Sequence, residues 1–177
     1  MDIFLQLVIN GILLGGTFAI ISIGLTLIFG IVRVINFAHG EFLMVGLYAV
    51  YLMTQYFGLH PYVAAIPAIV LLFLAGALMQ RFVIQPLLNA DPHIQIFATV
   101  GVSTALFNLA LLVFGADVFS IRLDDFTSAR LRTDSVSIGA GQAITFFVSI
   151  ALIIGLNLFL KHTFLGRAIR ATAQNRY

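Results

Sequence analysis

Cysteine is absent from this 177-residue chain, which excludes disulfides, zinc-thiolate sites and iron-sulfur clusters. Charge is scarce as well: 9% of the residues are Asp, Glu, Lys or Arg, against 61% hydrophobic, and the mean hydropathy is +1.09. So few charges cannot cover the surface of a water-soluble domain of this length, and the chain reads as an integral membrane protein in contact with a lipid bilayer. The formal charge is +2, but the nine Lys and Arg are scattered over several segments. They make no basic footprint, and nucleic acid is excluded as a partner. The start, Met1-Asp2-Ile3-Phe4, lacks the positive n-region of a cleaved signal peptide, so the first apolar segment is expected to stay in the mature protein. Chemistry-bearing motifs are missing too: there is no Gly-x-x-x-x-Gly-Lys-Ser/Thr phosphate loop, no His-Glu-x-x-His helix and no nucleophile elbow. No catalytic residue, metal or cofactor is therefore expected. An enzyme built on His39 and Glu41 would lack a second acidic partner nearby, and ATP hydrolysis would have to belong to another chain.

What is present is a series of long uncharged runs. From Ile3 to Val32 there is no Asp, Glu, Lys, Arg or His, more than enough for one crossing of a hydrocarbon core about 30 Å thick. The pattern predicts an all-α, polytopic membrane protein with about five spans: Phe4 to Ile31, Phe42 to Phe57, Tyr62 to Ile84, Ile94 to Phe114 and Ile138 to Leu160. Gly58-Leu59-His60-Pro61 separates the second span from the third, and Pro67 is a possible kink. The stretch from Ala116 to Ser137 holds seven charged residues and no long apolar run, which predicts an extramembrane loop. The tail after the fifth span carries Lys161, Arg167, Arg170 and Arg176 with no acid, whereas that loop has three Arg against four Asp. Positive-inside bias then predicts the tail inside and, through an odd number of spans, the N-terminus outside. A re-entrant pair in place of the first span would break this parity.

Polar residues among these runs are the candidates for function. Asn, His and Glu are costly at membrane depth, so the turn Ile35-Asn36-Phe37-Ala38-His39-Gly40-Glu41 belongs at an interface, inside a bundle or along a polar path. His39 and Glu41 read either as a turn with Glu41 suited to a helix N-terminal dipole, or as gating or route-lining groups. Asn36 either caps a helix end or faces the path. In the first span Gly11, Gly15, Ala19, Ser22, Thr26 and Gly30 recur at steps of three or four. Such a stripe is a packing seam, or else it borders a substrate route with the hydroxyls of Ser22 and Thr26. Ala98, Gly101, Ala105 and Asn108 repeat the theme in the fourth span, where Asn108 needs a partner.

Thr26-Leu27-Ile28-Phe29-Gly30 followed by Val34-Ile35-Asn36-Phe37-Ala38-His39-Gly40-Glu41 resembles the signature of permease subunits of the branched-chain amino acid ABC transporters. Gln80-Arg81 and Gln85-Pro86-Leu87 resemble that family's inner connection, Gly101-Val102-Ser103 with Asn108 its fourth span, and Gly166-Arg167-Ala168-Ile169-Arg170-Ala171 its cytoplasmic loop. The resemblance covers essentially the whole chain, and urea and short-chain amide permeases look similar. It implies a single importer transmembrane domain over 1–177, with the cytoplasmic coupling segment beginning at 161–177. The setting it implies is a bacterial or archaeal inner membrane. The implied partners are ATP-binding subunits, a second homologous permease subunit and an extracytoplasmic substrate-binding protein, with a small amino acid as cargo. An ATP-independent channel or secondary transporter is the other class of reading.

Arg167 and Arg170, three apart, share a helical face and serve either as an anchor at anionic headgroups or, as the resemblance implies, as the dock for an ATPase subunit. The pair Asp124-Asp125 reads as solvated surface or as a docking surface for the binding protein. Such permeases resemble chains of about eight spans whose cytoplasmic loop continues further, so this sequence, ending at Gln174-Asn175-Arg176-Tyr177, reads as a C-terminally truncated member.

Overall fold

An apolar run without a single charge or helix breaker has one way to satisfy its backbone in lipid, which is helix. The computed structural model, which describes residues 2–32, 34–121, 130–133 and 136–174, shows this for the first segment. Helix α1, Asp2–Val32, is unbroken, about 46 Å long at 1.5 Å per residue, and so one crossing instead of a re-entrant pair. It is followed by α2 (His39–Phe57), α3 (Pro61–Met79), α4 (Pro92–Phe114), a hairpin of β1 (Arg130–Thr133) and β2 (Val136–Gly139), α5 (Ala140–His162) and α6 (Phe164–Gln174). Among the described residues, four helical stretches are long and apolar enough to span a membrane: α1, α3 with its extension to Leu87, α4 and α5. The remaining expected span, α2, is the more polar one, with His39 and Glu41 in its first turn and Gln55 in its last.

The chain forms two compact units, Met1–Arg33 with Leu123–Tyr177, and Val34–Arg122. In the first, α1 packs along α5 and also meets β2 and α6. The hairpin is antiparallel, with Leu131 opposite Ile138. Strands were not expected there, because four-residue strands carry too little alternation to stand out from a charged loop. Its anchor is Gln6, half-buried on α1. The Gln6 amide donates to the Ser137 carbonyl (2.9 Å) and accepts from the Ser137 N–H (2.7 Å), so the side chain acts as a further strand edge.

The small-residue stripe does not make the close contact in this unit. A Cβ on Gly11, Gly15 or Gly30 would meet nothing within 4 Å, whereas one on Gly16 would lie 2.7 Å from Phe146 Cδ2 and 3.2 Å from Phe146 Cα. The seam is thus one residue away from the expected register, a rotation of about 100° around the helix. Gly166 is the second obligatory glycine here. Where α5 turns into α6, any Cβ on it would run into the Phe159 and Leu160 backbone.

In the second unit α2 packs on α3 and α4. Gly46 and Ala49 of α2 and Ala64 and Ala68 of α3 are buried, and the space above Gly46 is filled by Leu72, the small-residue packing expected of helices in lipid. The turns follow local chemistry. After α2, Gly58 takes the left-handed conformation (φ 61°), and His60 Nδ1 accepts from Tyr62 N at the proline-headed start of α3. Helix α3 runs through Pro67 without a break and then widens into a π turn at Gln80–Ile84 and a 3₁₀ turn at Gln85–Leu87. Pro86 supplies the reason: it has no N–H to donate and its ring crowds the Phe82 carbonyl. Asp91 Oδ1 then accepts from His93 N (2.8 Å) to start α4, again with proline at the first position.

Candidate functional site

The polar turn is built from its own backbone outward. Asn36 is 7% exposed, its Oδ1 accepts from Ala38 N (3.0 Å), and its carbonyl accepts from His39 N (3.3 Å). The asparagine thus closes the turn that aims α2, two residues ahead of the cap position held by Ala38, which has no side-chain cap of its own. Its Nδ2 sits 3.9 Å from Met79 Sδ, at the end of α3. On the other side Thr99 of α4, 1% exposed, places its hydroxyl 3.2 Å from the Ile35 carbonyl and 3.0 Å from the Ile96 carbonyl. One turn earlier Gln95 donates to the Leu87 (2.9 Å) and Ala90 (3.1 Å) carbonyls and so closes the connection before α4. The end of α3 and the start of α4 therefore hold the turn through Asn36 and Thr99, while Gln95 closes the connection between those two helices. The sequence reading missed Gln95 and Thr99, and the available signal was an amide and a hydroxyl four apart in the first two turns of an apolar span.

His39 and Glu41 occupy the first turn of α2, half-buried. Among the described residues, Glu41 Oε2 is a buried carboxylate oxygen with no hydrogen-bond partner, which is costly unless a cation or donor reaches it. No cluster of His, Asp or Glu able to hold a metal is present among the described residues.

The other candidates are placed differently. Asn108 is exposed on α4, nine residues beyond Thr99, and finds its partner on its own helix by donating to the Thr104 carbonyl (2.8 Å). Ser22 and Thr26 belong to the first unit, exposed on α1, with the Thr26 hydroxyl donating to the Ser22 carbonyl (2.8 Å). Arg167 and Arg170 fold back onto the end of α5: Arg167 Nη1 donates to the His162 carbonyl (3.1 Å) and Arg170 Nη2 approaches the Lys161 carbonyl (3.5 Å). Guanidinium groups at the last carbonyls satisfy a helix C-terminus and suit its dipole. Between them Thr163 Oγ1 accepts from Gly166 N (3.0 Å), fixing the elbow into α6. Asp124 and Asp125 lie outside the described residues.

Among the described residues, four helices apolar enough to span a membrane, and a polar turn held at the ends of two of them, define the class, a polytopic helical membrane protein. The family described as "Branched-chain amino acid transport system / permease component" matches residues 7–177, and the chain belongs to it. The chain is 33% identical to the high-affinity branched-chain amino acid transport system permease protein LivH of Escherichia coli K12, over 97% of this chain and 59% of that protein. It is 31% identical to the corresponding BraD of Pseudomonas aeruginosa, over 97% of this chain and 60% of the relative. A probable LivH of Methanocaldococcus jannaschii is 26% identical over 98% of this chain and 56% of its own length. The chain thus spans somewhat under two thirds of the length of these relatives. No solved structure matches it.

Proposed function

We propose that this chain is the membrane-embedded permease component of an ATP-driven importer for branched-chain amino acids. The observation that carries the reading is the Asn36-to-Glu41 turn, which sets a half-buried histidine and a carboxylate with an unpartnered oxygen at the head of α2, in a chain of the branched-chain permease family. ATP-binding subunits, a second permease subunit and an extracytoplasmic binding protein complete the importer, since this sequence contains no phosphate loop. Arg167 and Arg170, on a short helix beyond an elbow, serve the contact with the ATPase. Their guanidinium groups hold the end of α5 in the same geometry. The basic tail faces the cytoplasm, with the Asn36-to-Glu41 turn on the same side and the segment after α4 outside.

The test is uptake into vesicles that carry the full subunit with these partners. Labelled leucine should enter only with ATP, and isoleucine and valine, not urea or acetamide, should compete. Equal uptake of urea would overturn the substrate class, and uptake without ATP would overturn the importer. Reversing both charges, with Arg167→Glu and Arg170→Glu, should reduce co-purification of the ATPase while leaving membrane insertion intact. Unchanged co-purification would leave the arginines as the end cap of α5 alone.

A further inference from the structure

The end of α2 remote from Glu41 carries a second concentration of polar and aromatic groups. Phe119 lies on the segment after α4, its ring 4.9 Å from Tyr51 and 6.1 Å from Tyr48, while Tyr48 stacks on Phe114 at 3.9 Å and 8°. These rings hold residues 117–121 against α2 and leave a cavity of about 380 Å³ beside it. One wall is apolar: Met44, Leu47, Phe119 and Ile121. The other polar groups are the Tyr51 hydroxyl and the Asp117 carboxylate. A second cavity of about 380 Å³ adjoins at Ile121 and is lined by Thr54, Gln55 and Ser120. Each lies within the roughly 300–1,000 Å³ of small-molecule sites, the first mainly apolar and the second mainly polar.

The polar groups divide by charge preference. Asp117 is exposed and lines the same cavity as the apolar wall. Gln55 Nε2 donates to the Tyr51 Oη (3.3 Å), which leaves the phenolic proton free to donate outward. The Ser120 hydroxyl is a further donor. An ammonium acceptor, donors for a carboxylate and an apolar wall in two cavities that share Ile121 match a zwitterion with an aliphatic side chain. A lipid tail would have no use for the polar half. The cavity across Tyr48, about 260 Å³ and lined by residues such as Leu52, Leu71 and Leu109, is the apolar one that would suit a tail.

We propose that α2 and residues 117–121 form a binding subsite for an aliphatic amino acid, distinct from the Asn36 turn. Asp117 takes the ammonium, Tyr51, Gln55 and Ser120 face the carboxylate, and Met44, Leu47 and Ile121 take the side chain. Gln55, Tyr51, Tyr48, Met44 and Glu41 follow one another at steps of three and four, so a single face of α2 leads from this subsite to the unpartnered Glu41 oxygen. The choice of amino acid as ligand rests on the importer reading, while the cavity, its charge and its donors do not.

The chain contains no tryptophan, so Phe119→Trp gives a single-reporter protein, with Tyr48→Trp, which lines the cavity without a ligand role, as a second reporter. In lipid nanodiscs, leucine should change the emission saturably, and isocaproate, which lacks the ammonium, should bind several-fold more weakly. Adding Asp117→Asn should weaken leucine by about two- to fivefold, the range for a solvent-accessible ion pair, and should erase its advantage over isocaproate. In vesicle uptake the same substitution should raise the KM for leucine and leave the maximal rate unchanged. Silent reporters at millimolar leucine, or an unchanged leucine-to-isocaproate ratio in Asp117→Asn, would overturn the subsite even if the wild type imports leucine. A saturable response in the reporters without ATP-dependent import would instead leave the subsite standing and overturn the importer reading.

Discussion

Gly15 and Gly16 are adjacent on α1 and should respond to the same substitution in opposite directions. A methyl group on Gly15 meets nothing within 4 Å, while one on Gly16 arrives 2.7 Å from Phe146 Cδ2 and 3.2 Å from Phe146 Cα. Both changes remove the helix cost of glycine, roughly 0.5–1 kcal/mol relative to alanine. At Gly15 nothing opposes that gain, so Gly15→Ala should be neutral or stabilising by up to about 1 kcal/mol. At Gly16 the ring can swing aside but the α5 backbone has to shift, and overpacking of this kind costs about 1–3 kcal/mol. The net effect of Gly16→Ala is then a loss of up to about 2.5 kcal/mol, with Gly16→Leu worse. A double-mutant cycle separates the two contacts: in a Phe146→Ala background the Cδ2 conflict disappears while the 3.2 Å approach to the Cα of residue 146 remains, so the penalty of Gly16→Ala should shrink without vanishing. Stability would be read as the midpoint of denaturant unfolding in mixed micelles. Indistinguishable midpoints for Gly15→Ala and Gly16→Ala, or an unchanged penalty without the Phe146 ring, would refute the assigned α1–α5 seam.

Thr99→Val should cost about 1–2 kcal/mol by leaving the Ile35 carbonyl without its hydroxyl donor, while Thr99→Ser keeps most of that stability. Equal unfolding midpoints for the two variants would remove Thr99 as the tie between α4 and the polar turn. For orientation, the absence of cysteine makes single replacements free of background. Gly40→Cys and Thr172→Cys should resist an impermeant thiol reagent in intact cells and Asp125→Cys should react, and the reverse pattern would invert the proposed topology.

The helical architecture was legible without coordinates because lipid leaves an uncharged run no other means of pairing its backbone. The expected spans and observed helices agree to within a few residues, from Phe4–Ile31 against Asp2–Val32 to Ile138–Leu160 against Ala140–His162. Breaks were legible too where glycine and proline impose them, at Gly58 and Pro61. The family was legible in the resemblance of the run from Val34 to Glu41 to that family's signature. Facing was not legible. Glycines populate both Gly15 and Gly16, and only the position of Phe146 on α5 decides which of them is the seam. Likewise Asn36 could have capped a helix or faced a path until Ala38 N and Met79 fixed its two ends. The cavity beside Tyr51 and Asp117 joins groups 66 positions apart in the chain, a distance at which no local period speaks. Local sequence sets which segments are helical, because that depends on neighbours within a turn. Tertiary packing sets which faces meet, because a rotation of one residue leaves composition unchanged and alters every contact.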